Sequence, residues 1–133
     1  MKLFIFIYCC AVVFFSISLF QDAELKQRME RGKAVYNDFC ISCHLPQGEG
    51  VPYTFPPLAN SDYLMQNREK SIKAIKYGLQ GEITVNGIKY NSSMAGLGLE
   101  DEEVADVMNY ISNSWGNTSD AIVTTEEVAK IKK

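Results

Sequence analysis

The stretch Cys40-Ile41-Ser42-Cys43-His44 decides how this chain folds. Two thiols three positions apart, followed at once by an imidazole, form the attachment signature of a c-type haem, in which both cysteines become thioethers and the histidine binds iron. The spacing has a chemical reason, because the two haem vinyl groups lie on neighbouring edges of a rigid ring and a short turn presents one sulfur to each. We therefore predict one covalently bound haem c with its iron, held by Cys40, Cys43 and His44.

Three other interpretations of these five residues are open. A thioredoxin-like redox pair needs its cysteines after a strand, at the start of a helix, and no βαβ pattern surrounds them. A structural zinc site needs four ligands, whereas the chain has one histidine and its other cysteines, Cys9 and Cys10, lie in an apolar leader. A chance match in a loop is the third interpretation. Haem attachment is favoured because it uses all three chemical groups at their observed spacing.

Length and charge restrict the class of protein. The chain has 133 residues, 47% of them hydrophobic, and a formal net charge of -3. That length suits one domain with a modest core, which a buried haem would enlarge. The charge provides no basic surface for phosphates, so nucleic-acid binding is disfavoured.

Residues 1–20 have the pattern of a secretory signal peptide. Lys2 is followed by an uncharged run from Leu3 to Phe20, and Ser16 and Ser18 supply small residues before a cleavage site. The alternative is an uncleaved membrane anchor, because 18 uncharged residues lie at the lower limit for spanning a bilayer. Either outcome carries the rest of the chain across the membrane, so we predict a periplasmic protein that contacts the membrane only if this segment is retained.

The apolar spacing predicts a mainly helical chain with one short hairpin. A helix over Asp22–Phe39 contains Gly32, which suggests close approach by another element. After it we expect a long loop over Leu45–Leu58, a helix cap at Asn60–Asp62, and a second helix over Glu69–Tyr77 that is stopped by Gly78. A hairpin over Ile83–Tyr90, with Asn86-Gly87 at its turn, and a small-residue loop over Asn91–Gly98 should follow. The final helix is expected to open at Leu99–Glu103, carry Trp115 on its apolar face and end at Gly116-Asn117, before a polar stretch over Thr118–Lys133 with one helix from Thr125.

The second axial position of the iron decides between electron transfer and ligand chemistry. The chain has no second histidine, so the candidates are a methionine, a lysine or an open site. Met29 and Met108 lie on apolar helix faces, where a core role is expected. Met94 lies in a flexible loop of small residues that could bring a thioether to iron. Met94 is therefore favoured, with Met65 and an open site as the alternatives.

The arrangement of these features resembles the class I c-type cytochromes. An N-terminal helix, the CxxCH motif, a proline loop, a methionine loop and an amphipathic C-terminal helix occur in that order between residues 22 and 117. Three further stretches resemble bacterial members of the family, both periplasmic carriers and cytochrome modules of oxidoreductases: Phe55-Pro56-Pro57-Leu58-Ala59, Gly81-Glu82-Ile83-Thr84-Val85-Asn86-Gly87 and Tyr110-Ile111-Ser112-Asn113-Ser114-Trp115-Gly116-Asn117.

The resemblance implies an all-α cytochrome c fold with its terminal helices crossing beside the haem. His44 would be the proximal ligand and Met94 the distal one. The carbonyl of Pro56 would accept the proton-bearing nitrogen of His44, and Leu58 would pack on the haem. Relatives often have proline after the methionine, whereas this chain has Ala95, which predicts a more mobile loop.

The expected domain division is a leader at 1–20, a cytochrome c domain at 21–117 and a polar extension at 118–133. The expected function is one-electron transfer without substrate chemistry, as a periplasmic carrier between redox proteins. An electron-accepting subunit of a periplasmic dehydrogenase or reductase is the alternative. A five-coordinate haem enzyme or gas-binding protein is a third hypothesis, from a different class.

Overall fold

Two long helices cross and position the rest of the chain. The computed structural model describes residues 2–133, and between residues 2 and 19 it describes the side chains of Phe4, Ile7, Tyr8 and Val12 alone. In chain order the elements are α1 (Lys2–Phe39), α2 (Ile41–His44), α3 (Asp62–Gln66), α4 (Arg68–Tyr77), β1 (Gly78–Leu79), β2 (Ile83–Val85), β3 (Ile88–Tyr90), β4 (Met94–Ala95), α5 (Asp101–Ile111) and α6 (Thr125–Lys130). The mainly helical architecture predicted from the sequence is confirmed.

The crossing of α1 and α5 depends on Gly32. A Cβ added there would overlap the carbonyl of Asp106 and lie 2.9 Å from Cβ of Tyr110, so no larger residue fits. Next to it, the ring centroid of Tyr36 lies 5.6 Å from that of Tyr110 and 4.9 Å from that of Trp115. Tilted aromatic pairs at these separations stabilise a core beyond their buried area. The close approach predicted at Gly32 is confirmed.

A buried ion pair fixes the same crossing. The Asp106 side chain is 3% exposed and accepts from Nη1 of Arg28 at 3.3 Å and from Nη2 of Arg31 at 3.0 Å. The bond to Asp106 raises the pKa of the Arg31 guanidinium, which stays charged. A buried carboxylate is tolerated when charged donors satisfy it. Here those donors come from α1 and fix the position of α5 along it.

Helix α5 begins where predicted and ends earlier than predicted. Glu100 and Glu103 form a capping box at its start, which satisfies the first backbone donors. Its end is at Ile111, so the prediction that the helix continues through Trp115 is wrong. Beyond Ile111, side chains compete for the last carbonyls: Asn113 donates to Asn109 and Ser114 to Tyr110. Trp115 then lies in a turn with a φ of 51°.

Helices α3 and α4 follow the predicted start and stop signals. The hydroxyl of Ser61 accepts from the backbone N–H of Leu64, which caps α3. Helix α4 begins one residue before the predicted Glu69, at Arg68, and gives way at Gly78, whose φ of 86° suits glycine. The second helix and its stop signal are confirmed.

The strands form two small antiparallel pairs. Asn86 and Gly87 have φ values of 50° and 79°, as a type I′ turn requires, and the predicted hairpin of β2 and β3 is confirmed. The second pair was not predicted, because the residues around Met94 were expected to form a loop. Met94 lies opposite Leu79 and Ala95 opposite Gly78. Two residues are too few to show a strand period in the sequence.

The last 16 residues pack on the same core as the helices before them. Val123 and Val128 are 1% and 0% exposed and lie among core residues. The core consists of Tyr36, Leu64, Ile72, Ile75, Val104, Ala105, Val107, Met108, Ile111, Val123 and Val128. The single helix predicted from Thr125 is confirmed as α6, while the division of the chain at residue 117 stays a prediction.

Most side chains of the predicted leader, residues 1–20, lie outside the part of the chain that the structure describes. Helix α1 continues to Lys2 and thus extends beyond the predicted start at Asp22. Within the part of the chain that is described, no helix has both the length and the apolar character needed to cross a membrane. Cleavage or retention of the leader stays a prediction.

Candidate haem site

The attachment motif forms a tight turn immediately after α1. Cys40 is the N-cap of α2, and its carbonyl accepts from the N–H groups of Cys43 at 3.1 Å and His44 at 2.9 Å. Both thiols are free and half-buried. This turn brings the two sulfurs and the imidazole to one short segment.

The electrostatics of Cys40 do not suit a dithiol redox centre. Burial, followed by the neighbouring Cys43, raises the pKa of the Cys40 thiol to about 11. Reactive redox cysteines have lowered pKa values, because the thiolate is the nucleophile. With a raised pKa and apolar surroundings, the Cys40 thiol lacks the thiolate character of a disulfide-exchange cysteine.

His44 is held in one tautomer by a backbone carbonyl. Its Nδ1 lies 2.9 Å from the carbonyl oxygen of Pro56, so Nδ1 carries the proton and Nε2 has a free lone pair. Burial lowers the pKa of the imidazole, which outweighs the opposite effect of this hydrogen bond. A neutral, oriented imidazole is the form that ligates a metal. The predicted contact between His44 and Pro56 is present.

The segment around Pro56 is fixed by tight backbone contacts. Gly50 has a φ of 61°, and a Cβ added to it would lie 2.7 Å from the carbonyl oxygen of Pro56. Its N–H donates to the carbonyl of His44 at 3.0 Å. Val51 and Phe55 exchange two backbone hydrogen bonds of 2.8 Å across the loop. The loop is therefore a folded structure that holds the Pro56 carbonyl in place.

Two adjoining cavities lie beside this segment. Their volumes are about 80 Å³ and about 370 Å³, and the larger one lies within the range of small-molecule and cofactor pockets. Both are lined by Cys40, His44, Pro56, Leu79, Ile83 and Met94. The inner cavity adds Leu58 and mainly apolar residues, whereas the outer one adds Cys43 and reaches the surface at Phe39 and Leu97. All six predicted site residues thus line one continuous site.

Met94 is the methionine that reaches this site. It is half-buried and lines both cavities, and its backbone is held by β1. Met65 is 38% exposed, Met108 lies in the core, and Met29 lines a separate surface groove. Among the described residues, no other methionine and no lysine lines either cavity. Met94 as the second ligand of the iron stays a prediction.

Ser71 is a polar group of the site that the sequence did not reveal. Ser71 is 6% exposed and lines the inner cavity. Its hydroxyl has no hydrogen-bond partner in the described part of the chain. Ser71 and Ala74 are small residues three positions apart on α4, and this spacing is the signal in the sequence that could have identified Ser71. Small side chains at this spacing leave room beside the helix, which here is the room occupied by the cavity.

These residues fit a covalently bound haem. The site offers two thiols for thioether bonds, an oriented imidazole nitrogen, a soft thioether and apolar walls. A zinc site would need four donors converging on a point, and the described residues contain no cluster of three or more metal-binding His, Cys, Asp or Glu side chains.

Residues 29–115 match the family model for cytochrome c. The chain belongs to the cytochrome c family. It is 41% identical over 102 residues to cytochrome c-552 of Thermus thermophilus, an alignment that covers 70% of this chain and 78% of that protein. This cytochrome therefore carries a covalently attached haem c with iron and functions in electron transfer.

Two further relatives are cytochrome c subunits of larger complexes. The cytochrome is 30% identical over 110 residues to the cytochrome c subunit of the quinone alcohol dehydrogenase of Gluconobacter oxydans. It is 32% identical over 108 residues to the cytochrome c subunit of gluconate 2-dehydrogenase of Pantoea cypripedii. The alignments cover 76% and 78% of this chain and only 22% and 24% of those subunits. The match is thus to one part of a longer protein.

Proposed function

We propose that this cytochrome is a periplasmic one-electron carrier whose iron is bound by His44 and Met94, with Cys40 and Cys43 as the thioether attachments. The observation that carries the proposal is that His44 and Met94, the two residues that would hold the iron, line both adjoining cavities together with Pro56, whose carbonyl orients His44. When bound, the haem supplies an iron that exchanges one electron reversibly.

The residues around the iron would set its reduction potential. The hydrogen bond from Nδ1 of His44 to the carbonyl of Pro56 increases the basicity of the imidazole. The thioether of Met94 is a soft ligand and favours the reduced iron, so we expect a relatively high potential. The apolar wall around Leu58 keeps water from the site. These effects suit electron transfer and leave no coordination position for a substrate.

Partners would meet the cytochrome where the outer cavity reaches the surface. Phe39 and Leu97, at 45% and 37% exposure, border that opening, and Ala95, Gly96 and Gly98 are exposed next to Leu97. A small apolar patch of this kind suits brief docking of another redox protein. We expect these partners to include membrane oxidoreductases and terminal oxidases or reductases.

A second candidate function is that of an electron acceptor dedicated to one dehydrogenase. The similarity to cytochrome subunits of alcohol and gluconate dehydrogenases favours it. The identity is 41% to the Thermus cytochrome c-552 and 30% and 32% to those subunits, so the separate carrier stays the first choice. N-terminal sequencing of the native protein, recovered from membranes and from periplasm, would separate an anchored acceptor from a released carrier.

The ligand assignment is tested by the optical spectrum of the oxidised holoprotein. We expect low-spin iron with a methionine-to-iron charge-transfer band, and loss of this band in Met94→Ala together with rapid carbon monoxide binding in the reduced state. Met65→Ala is the matched control, because Met65 lies outside both cavities, and it should keep the band. A band that survives Met94→Ala would disprove the assignment. High-spin iron in the wild type would instead support the five-coordinate hypothesis.

A further inference from the structure

We propose that the C-terminal segment, residues 118–133, positions Met94 on the iron by holding the end of α4. This inference rests on the proposed role of Met94 as a ligand. It assigns a function to a stretch that lies beyond the matched family region, which ends at residue 115.

The C-terminal segment has a fixed position on the core. Val123 and Val128 are buried among core residues. The side-chain amide of Asn109, itself 1% exposed, donates to the carbonyl of Val123 and accepts from its N–H, both at 2.8 Å. A buried amide that is satisfied on both sides specifies one position for its partner. The segment is therefore docked in a single register.

From this position the segment is bonded to both ends of α4. At the start of α4, Arg68 donates to the carbonyls of Ala121 and Ile122, each at 2.9 Å, and pairs with Glu127 at 2.7 Å. At the end of α4, Lys76 donates to the carbonyl of Val128 at 2.9 Å, and the hydroxyl of Tyr77 donates to the carbonyl of Ile131 at 3.0 Å. The last two residues of α4 are thus held by backbone carbonyls of the C-terminal segment.

Tyr77 also contacts the backbone around Met94. A Cβ added to Gly96 would lie 3.1 Å from the carbonyl carbon and oxygen of Tyr77. A Cβ added to Gly78 would lie 2.6 Å from the carbonyl oxygen of Met94. Residues 77–79 and 94–96 are therefore packed backbone to backbone. Tyr77 bonds the C-terminal segment through its hydroxyl and supports the Met94 loop through its main chain.

The Met94 side chain packs against the core, but few backbone contacts hold residues 91–98 in place. The pairing of β1 with β4 is two residues long, and a pair of such short strands is not stable alone. Ala95 follows the methionine and supplies none of the rigidity of a proline. The other bond from this loop to the described chain runs from the hydroxyl of Ser92 to the carbonyl of Thr54. Displacement of the α4 end would therefore release Met94 before it unfolds the core.

The decisive experiment measures release of Met94 in the holoprotein of Tyr77→Phe. This variant keeps the ring and removes the hydroxyl that donates to Ile131. We expect faster carbon monoxide binding to the reduced protein, by about 2- to 10-fold, which is the range that one net hydrogen bond supplies. A chain ended after Asn117 should show the same change more strongly.

Two controls separate positioning from general loss of stability. Val104→Ala removes a fully buried side chain of α5 that lines neither cavity and leaves the Tyr77 hydroxyl in place. It should lower the midpoint of unfolding without faster carbon monoxide binding. If the shortened chain does not accumulate with haem, Tyr77→Phe decides the question by itself.

These measurements distinguish failure of this inference from failure of the proposed function. Equal carbon monoxide rates in wild type and Tyr77→Phe, or an equal increase in Val104→Ala, would overturn this inference while the band of the wild type still supports Met94 ligation. A wild type without the band, or a band that survives Met94→Ala, would overturn the proposed function itself.

Discussion

The two segments that would bind the iron are built in different ways. The His44 segment, residues 40–58, has bonds in every part: Gly50 to His44, His44 to Pro56, the Val51 and Phe55 exchange, and Tyr36 to Leu45 at 2.6 Å. The Met94 segment, residues 91–98, has a two-residue ladder and four consecutive exposed residues, 95–98. The difference suits one permanent ligand and one whose bond depends on its surroundings.

Removal of the haem attachments tests whether either segment keeps its shape alone. In the double variant Cys40→Ser and Cys43→Ser, the cavities would remain without the group that fills the centre of a small core. We expect the apo chain to be largely unfolded, a loss comparable to the whole stability of about 5 kcal/mol or more that a small domain has. Circular dichroism during heating measures it. A cooperative thermal transition without haem would contradict the prediction.

A second prediction concerns the rigid segment. Gly50→Ala would force a side chain into a positive-φ position 2.7 Å from the carbonyl oxygen of Pro56. We expect a cost of about 2–3 kcal/mol, because strain at that φ adds to displacement of a packed carbonyl. The reduction potential should also change, since the bond from His44 to Pro56 is disturbed.

Gly87→Ala provides the matched control for Gly50→Ala. Gly87 has a φ of 79°, and a Cβ added to it meets no atom within 4 Å. It should cost about 1 kcal/mol, from the backbone strain alone, and leave the potential unchanged. Urea unfolding and a redox titration measure both effects. Equal costs for the two variants would show that the His44 segment is less rigid than its contacts indicate.

A third prediction concerns the loosely held segment. Gly78→Ala would place a Cβ 2.6 Å from the carbonyl oxygen of Met94, at a φ of 86°. The Met94 segment can move away, so we expect a cost of about 1–2 kcal/mol but a clear loss of the methionine-to-iron band. Gly98→Ala is the control within the same segment, because a Cβ there meets nothing within 4 Å. If Gly98→Ala weakens the band equally, the segment is held by something other than β1.

The sequence revealed the rigid segment better than the loose one. The CxxCH turn carries a local signal, since spacing and residue type are enough to identify it, whereas Pro56 and Leu58 were identified through the family resemblance. The contact between His44 and Pro56 followed from the family resemblance and is present in the structure. The role of Gly50 could not be seen, because its need for a positive φ arises from the packing of the loop on itself.

The remaining errors come from contacts that leave no pattern in the sequence, some between neighbours in the chain and some between distant residues. The pairing of Leu79 with Met94 leaves no periodic pattern in either strand. The early end of α5 depends on side chains of Asn113 and Ser114 that bind helix carbonyls, whereas the apolar spacing suggested that the helix continues to Trp115. The buried position of Ser71 likewise depends on a cavity that only the folded chain creates.

The smallest expected effect is the loss in acid of the ion pair between Arg68 and Glu127, which would act on the Met94 segment through α4. Arg68, through its hydrogen bond, holds the pKa of the Glu127 carboxyl below its usual value, with Lys130 a minor contributor. A carboxyl whose pKa is lowered on folding contributes stability above its unfolded pKa and loses it as the pH falls through the folded value. The contribution of this pair should therefore be full at neutral pH, begin to fall near the unfolded value of about 4.3, and be lost once the pH is below the folded pKa.

Comparison of wild type with Glu127→Gln isolates this pair from the other groups that titrate in acid, because those groups are common to both proteins. Both side chains of the pair are about one third exposed, so solvent screens it and we expect a difference of about 0.3–1 kcal/mol at neutral pH. Urea unfolding between pH 6 and pH 3 should show this difference shrinking to zero, and the advantage of the wild type in retaining the methionine-to-iron band should shrink in parallel. Glu30→Gln, an exposed glutamate of α1, is the control and should behave as the wild type does. If the stability difference disappears in acid while the difference in the band persists, the Met94 segment is not coupled to the C-terminal segment through α4.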